Sequence, residues 1–367
     1  MTGSPHHGAL IDNATGRKTA MTRNTKLDRF AAGAALVIAV GTMPQIAAAE
    51  VTLKVADTFP PGHYIVETGT TYWMDRVTEL TDGEVKFQYF GAGQLGSLRD
   101  MFSMVQTGVV DIGYVPPAYN GGTMPLAGVH TLPGLFSQSV VGTPAFFETV
   151  TSDPILQNDF LANGMRPVWG VMTSTYNLFT RDQDVSGIDD IKGLKLKTIA
   201  GNMAESVKAL GGAPVDIPSP ETYQAIRTGT VDGTIFPTTS IYSYKLDEVI
   251  DTAVLGLDVF VYWAPYAIRE EVWQDLSPEH QQAIQQASQE AMQRVAEETD
   301  RSAAELEDKM RDSGIEVIVL DEAQREKVKS ATAPVFDAWV SGLQERGLPA
   351  GEVLEMFRAN IEKHQTQ

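Results

Sequence analysis

Gly91-Ala92-Gly93-Gln94-Leu95-Gly96 has the glycine spacing of a dinucleotide-binding loop. Asp111 even stands twenty positions after Gly91. A ribose-binding acid belongs at the carboxyl end of the next strand, whereas Asp111 opens that strand. The motif also follows the second strand of its unit, so the glycines read as a tight β–α turn. No cofactor is expected. Downstream of residue 49 the histidines are His63, His130, His280 and His364, at no metal-ligand spacing. H-E-x-x-H, G-x-S-x-G and Walker A patterns are absent. Asp189-Asp190 and Glu270-Glu271 are adjacent pairs, and adjacent residues do not share a face. The aromatics say more. Phe59, Tyr64, Tyr114, Tyr119, Tyr176, Phe236, Tyr262 and Trp263 fall at the ends of expected strands. At loops that converge, they fit a pocket wall better than a core stripe.

Alternating and helical patterns supply the elements that hold these residues. Strands are expected at Val51–Ala56, Val85–Phe90 and Asp111–Val115, with helices over Ile65–Thr81 and Leu98–Thr107 between them. This β-α-β-α-β order predicts parallel pairing with right-handed crossovers. A second unit of similar order follows. Its strands are at Pro167–Met172, Tyr176–Thr180, Leu194–Ile199, Pro214–Ile217 and Gly233–Phe236, with helices at Met203–Leu210 and Glu221–Thr228. From Pro265 the chain reads as helical. Ser277-Pro278-Glu279 is a helix start, and that helix runs to about Ser313. Two further helices are expected near Glu322–Gly342 and Pro349–Lys363. Two α/β units of this kind leave a crevice at the carboxyl ends of their strands.

Composition narrows the function. The 367 residues carry 28 Lys+Arg against 47 Asp+Glu, a formal charge of −19, and no cysteine. A disulfide scaffold, a thiolate metal site and a cysteine nucleophile are excluded. The acidic balance argues against nucleic acid and against an anionic membrane surface as partners. Near the start, Arg23, Lys26 and Arg29 precede an apolar run from Phe30 to Val40, then Pro44 and Ala47-Ala48-Ala49. This is the pattern of a secretory signal cut after Ala49. Met21 is a candidate start, with residues 1–20 an upstream extension. Removing residues 1–49, with five basic and two acidic side chains, leaves 318 residues at net charge −22. A periplasmic location is expected.

Four segments in order carry a family resemblance. They are Gly93-Gln94-Leu95-Gly96, Gln106–Asp111, Asp189–Lys197 and Tyr223–Gly233. The chain from residue 50 resembles the DctP-type solute-binding proteins of TRAP (tripartite ATP-independent periplasmic) transporters. The resemblance implies a two-lobed α/β periplasmic-binding-protein fold with a hinge and a long helix crossing both lobes. Lobe I would take residues 50–173 plus about 260–305, and lobe II residues 174–259 plus about 306–367. It implies a solute receptor that works with the membrane components of the transporter, without covalent chemistry. A monomer is expected, with a dimer left open. The competing class, a secreted α/β hydrolase, would need a paired acid–base site that the sequence does not present.

The same resemblance points to Lys197 where the family usually carries an Arg that clamps a ligand carboxylate. Tyr176 stands in place of a second Arg, and Phe236 in place of an Asn. The site is therefore expected to comprise Lys197, Asp57, Phe59, Tyr64, Gln94, Tyr114, Tyr119, Tyr176, Phe236 and Trp263. Two ligands fit this set. One is a small organic acid paired with Lys197, tyrosine hydroxyls and Gln94 adding polar contacts. The other is a small amine or zwitterion held by aromatic faces, with Asp57 as its counter-charge. Both stay open, the acid ahead.

Overall fold

The computed structural model describes residues 50–366, so the expected signal segment lies outside the described residues. In chain order the elements are β1 (Val51–Ala56), α1 (Thr71–Leu80), β2 (Val85–Phe90), α2 (Met101–Gln106), β3 (Ile112–Tyr114), α3 (Ser139–Val150), β4 (Met165–Met172) and β5 (Tyr176–Thr180). Then come β6 (Lys195–Thr198), α4 (Asn202–Ala209), β7 (Ala213–Asp216), α5 (Thr222–Arg227), β8 (Gly233–Pro237), β9 (Thr252–Leu255) and β10 (Trp263–Arg269). The chain closes with α6 (Glu270–Asp275), α7 (Pro278–Asp312), β11 (Glu316–Val319), α8 (Glu322–Thr332), α9 (Pro334–Gln344) and α10 (Ala350–Gln365).

The strands form two sheets, ordered β2-β1-β3-β10-β4 and β11-β9-β5-β8-β6-β7. The expected parallel pairing holds for β1 with β2 and β3 and for β6 with β7 and β8, while each sheet also takes antiparallel strands. β10 runs antiparallel to β3 and β4 in the first sheet, and β5 antiparallel to β8 and β9 in the second. β10 is also the element most clearly misread, because Pro265 disfavours the middle of a strand. Here Gly170 stands opposite Pro265, and the register shifts between Tyr266 and Ala267.

Three crossings join the strands of the two sheets, and the chain returns once more between α8 and α9. Residues 173–175 lead from β4 to β5, and residues 256–262 lead from β9 to β10. These two strands of chain are stitched together: the Thr173 N–H donates to Tyr262 O at 2.9 Å, and the Tyr176 N–H to Phe260 O at 2.9 Å. The third crossing is α7, 35 residues long and started by Ser277 Oγ, which accepts from the His280 N–H at 3.1 Å. At 1.5 Å per residue it spans roughly 50 Å. Its first half packs on α1 and β4, and the Trp73 indole donates to Ser288 Oγ at 3.0 Å. Its far end buries Leu306 and Met310 among Phe179, Ile250 and Val317 of the second sheet.

The C-terminus departs from the expected division of the chain. β11 joins the second sheet and α8 packs near α4. α9 and α10 instead cover the outer face of the first sheet, where Val335, Trp339, Val353 and Phe357 join a core with Phe146 and Trp263. The apolar face of α10 finds its partner in α3, for which the sequence predicts no element, and α9 packs against α10. α10 is tied down there by the Asn360 side chain, which donates to Thr149 Oγ1 at 2.9 Å, and by Lys363 on Glu148 at 2.8 Å.

Candidate functional site

Strand ends and loops of both sheets bring polar and aromatic side chains into one closed circuit. On β6, Lys195 and Lys197 share a face. Lys195 opens the strand and is exposed, whereas Lys197, two residues further in, is buried. Lys197 pairs with Thr234 of β8, and Phe236, two residues on, lies on the same face. The Lys197 ammonium sits 4.9 Å from the Phe236 ring centre. From there the rings run Phe236–Tyr244 at 5.3 Å, Tyr244–His63 at 5.5 Å, His63–Phe59 at 4.5 Å and Phe59–Tyr114 at 4.4 Å. The Tyr114 and Tyr262 hydroxyls share a hydrogen bond of 2.7 Å, and Tyr262 meets the Tyr119 ring edge-on at 6.2 Å. The Tyr119 hydroxyl then meets Ser219 Oγ at 3.3 Å, and Lys197 Nζ reaches that same Ser219 Oγ at 3.5 Å, which closes the circuit. Tyr176 packs against Phe236 at 6.3 Å and Tyr262 at 6.5 Å. Tyr64 stacks on His63 at 4.9 Å, and its hydroxyl accepts from Thr239 at 3.2 Å.

Burial sets the electrostatics of this circuit. Lys197 is fully buried, and loss of hydration lowers its ammonium from the usual 10.5 to about 7, opposed only by the field of Asp216. Asp216 itself is taken by Arg99 at 3.0 Å. His63 is held neutral, its pKa pushed down to about 3 by burial. The Tyr114, Tyr176 and Tyr262 hydroxyls are raised well above 10, first by burial and then by the field of neighbouring tyrosines. All three remain neutral hydrogen-bonding groups.

Of the ten residues expected from the sequence, Lys197, Phe59, Tyr64, Tyr114, Tyr119, Tyr176 and Phe236 come together here. Three do not. Asp57 has no free carboxylate: Tyr266 and Tyr89 donate to its Oδ2 at 2.6 and 2.8 Å, and the Phe59 N–H donates to Oδ1 at 3.2 Å. It braces the loop that carries Phe59 rather than facing the circuit. Gln94 is exposed on the glycine turn. Trp263 follows Tyr262 directly, so it points to the opposite side of the sheet and packs on Phe146 at 4.9 Å. His63, Ser219 and Tyr244 were missed. His63 lies inside the loop between Phe59 and Tyr64, and its position between two candidate aromatics was the available signal.

Two surface clefts lie beside the circuit. One is bounded by Thr58, Pro60, Pro61 and Ala92 on one side and Pro220, Ser243, Tyr244 and Lys245 on the other. The second lies between Gly93–Arg99 and Pro218–Glu221. The Arg99–Asp216 ion pair and the Tyr119–Ser219 contact span the same gap.

A two-sheet α/β body that gathers a buried amine and a ring of aromatic side chains between its sheets has the build of a binding protein. The family model for bacterial extracellular solute-binding proteins, family 7 (DctP), matches residues 56–342, and the chain belongs to that family. It is similar to YiiZ, an uncharacterised protein of Salmonella typhimurium, at 30% identity over 159 residues. That match covers 43% of this chain and about half, 48%, of YiiZ. It is 24% identical to TeaA, an ectoine-binding periplasmic protein of Halomonas elongata, over 76% of this chain and 82% of TeaA. Its fold matches that of a TRAP solute-binding protein of Rhodoferax ferrireducens, solved with copurified benzoate. The TM-score is 0.80 at 23% identity, covering 86% of this chain and 99% of that one. This chain is a TRAP-type solute-binding receptor, of a periplasmic family, and not an enzyme. Among the described residues no helix is long and apolar enough to cross a membrane.

Proposed function

We propose that this receptor captures a small organic acid with a flat apolar body, its carboxylate on Lys197 and its body between the tyrosine and phenylalanine rings. The observation that carries this is the buried Lys197 amine, whose one hydrogen-bond partner is a serine hydroxyl at 3.5 Å. Buried charges are otherwise paired, so an arriving carboxylate would supply the missing partner. The benzoate held by the Rhodoferax protein is a ligand of this kind. The amine reading loses its counter-charge, because both oxygens of Asp57 are engaged.

Capture would bring the sheets together as two lobes that move about residues 173–175, residues 256–262 and α7. The first lobe would carry α9 and α10 as well. Residues 1–49 would direct export and be removed after Ala49, and the loaded receptor would deliver its solute to the membrane components of a TRAP importer. Calorimetry with benzoate and phenylacetate tests the assignment. Lys197→Met is expected to weaken binding about ten- to hundredfold, the range of a hydrogen bond to a charged group. Equal affinities for the variant and the parent would refute it.

A further inference from the structure

Two buried ring and amine nitrogens of the circuit, set apart from each other, are weakly served among the described residues. Lys197 Nζ has only Ser219 Oγ at 3.5 Å, and His63 Nε2 has only Ser240 Oγ at 3.4 Å. Both distances lie beyond the range of a good hydrogen bond. Buried polar groups in proteins are normally satisfied, so two weakly served nitrogens on one circuit mark places where another molecule would supply the acceptors. Between them on the circuit stand Phe236 and Tyr244, two ring widths of apolar wall.

The imidazole is fixed in orientation and in tautomer. Nδ1 accepts the Ile65 N–H at 3.3 Å, so in the neutral ring the proton resides on Nε2. Phe59, Tyr64 and Tyr244 hold the ring from three sides, at 4.5, 4.9 and 5.5 Å. Burial keeps it uncharged across the physiological range. His63 therefore presents a neutral N–H, with a hydroxyl acceptor, Ser240 Oγ, just behind it.

Building on the acid reading above, we propose that His63 is a specificity-determining residue. Its Nε2–H would donate to an oxygen at the end of the solute remote from the carboxylate, which makes the preferred solute a hydroxy acid. A hydroxyl suits the position because it accepts from His63 Nε2–H and donates onward to Ser240 Oγ. Two short hydrogen bonds would replace one long one. A bare methyl of the same size would leave both groups unserved, and unpaired buried groups are what lets a site reject an analogue.

The test uses 4-hydroxybenzoate and 4-methylbenzoate, which differ in this one group, together with benzoate, by calorimetry on the purified full chain. The parent protein is expected to prefer the hydroxyl about five- to tenfold. His63→Phe, which keeps a ring but no donor, should reduce that preference to twofold or less, whatever it does to the affinity for benzoate itself. His63→Gln, which keeps an N–H, should restore much of it. Where a variant melts early, nitrogen-15 NMR of the parent gives the same answer: the His63 Nε2–H resonance moves downfield with 4-hydroxybenzoate and not with 4-methylbenzoate. An undiminished preference in His63→Phe, or an unmoved resonance, overturns the role of His63 and leaves the acid reading standing. If none of the acids binds, or if Lys197→Met binds them all unchanged, the acid reading falls and this inference falls with it.

Discussion

Affinity for an acid should depend on pH through one amine. In the ligand-free protein Lys197 keeps its proton only up to about pH 7. A bound carboxylate restores a partner and moves the amine back toward its ordinary range. Below pH 7 the amine is charged in both states and affinity is flat. Above it, each binding event must take up a proton, so affinity falls by up to tenfold per pH unit, about 1.4 kcal/mol each. Between pH 7 and 9 the loss approaches a hundredfold. Stability follows the same group with a definite sign. The unfolded chain holds this proton to about pH 10.5 and the ligand-free fold only to about 7. The ligand-free protein therefore carries its full penalty below pH 7, and that penalty lifts as pH rises toward 10. The gap of three to four pH decades sets it at roughly 4–5 kcal/mol at most. Lys197→Met should accordingly raise the melting temperature of the ligand-free protein at pH 6, and by much less at pH 10. Calorimetry of benzoate binding in buffers of different ionisation heat counts the protons directly. Flat affinity from pH 6 to 9 with no proton uptake, or a Lys197→Met variant no more stable at pH 6, would refute the reasoning.

Two further outcomes separate support from recognition. Asp57→Ala strands the Tyr89 and Tyr266 hydroxyls and releases the loop bearing Phe59, so it should lower stability by about 2–4 kcal/mol in urea unfolding, with no selective loss of acids. Gly170→Ala would bring a Cβ to 2.5 Å from the Trp263 indole nitrogen and 2.9 Å from Pro265 Cα. It should cost about 1–3 kcal/mol by the same assay and leave the solute preference unchanged.

The first half of the fold was legible because its strands alternate and its turns carry glycine or proline. The turn at Gly91–Gly96 behaves as read: Gly93 has φ +71° and its N–H returns to Asp57 O at 2.9 Å. What stayed hidden has physical causes. β9 and β11 are four residues each and carry no clean apolar–polar alternation to mark them. β10 contains a proline whose place in a strand depends on the glycine opposite. α3 mixes Gly142 and Pro144 with apolar residues on nearly every side, so no polar face marks it as a helix. At the site, residue type announced the aromatics and the family pattern announced Lys197. Whether a polar side chain is spent on its own fold is a tertiary matter, and Asp57 and Ser219 could not be sorted without it.

The proposed binding circuit is assembled from single side chains on widely separated segments: 59–64, 114–119, 176, 197, 219, 236, 244 and 262. The backbone pairing around Lys197 and Phe236 runs through main-chain atoms and is indifferent to what those side chains are. A lineage can thus exchange one ring or one charge at a time and acquire a new nutrient without rebuilding either sheet. Diversity of diet on a constant scaffold is the expected outcome.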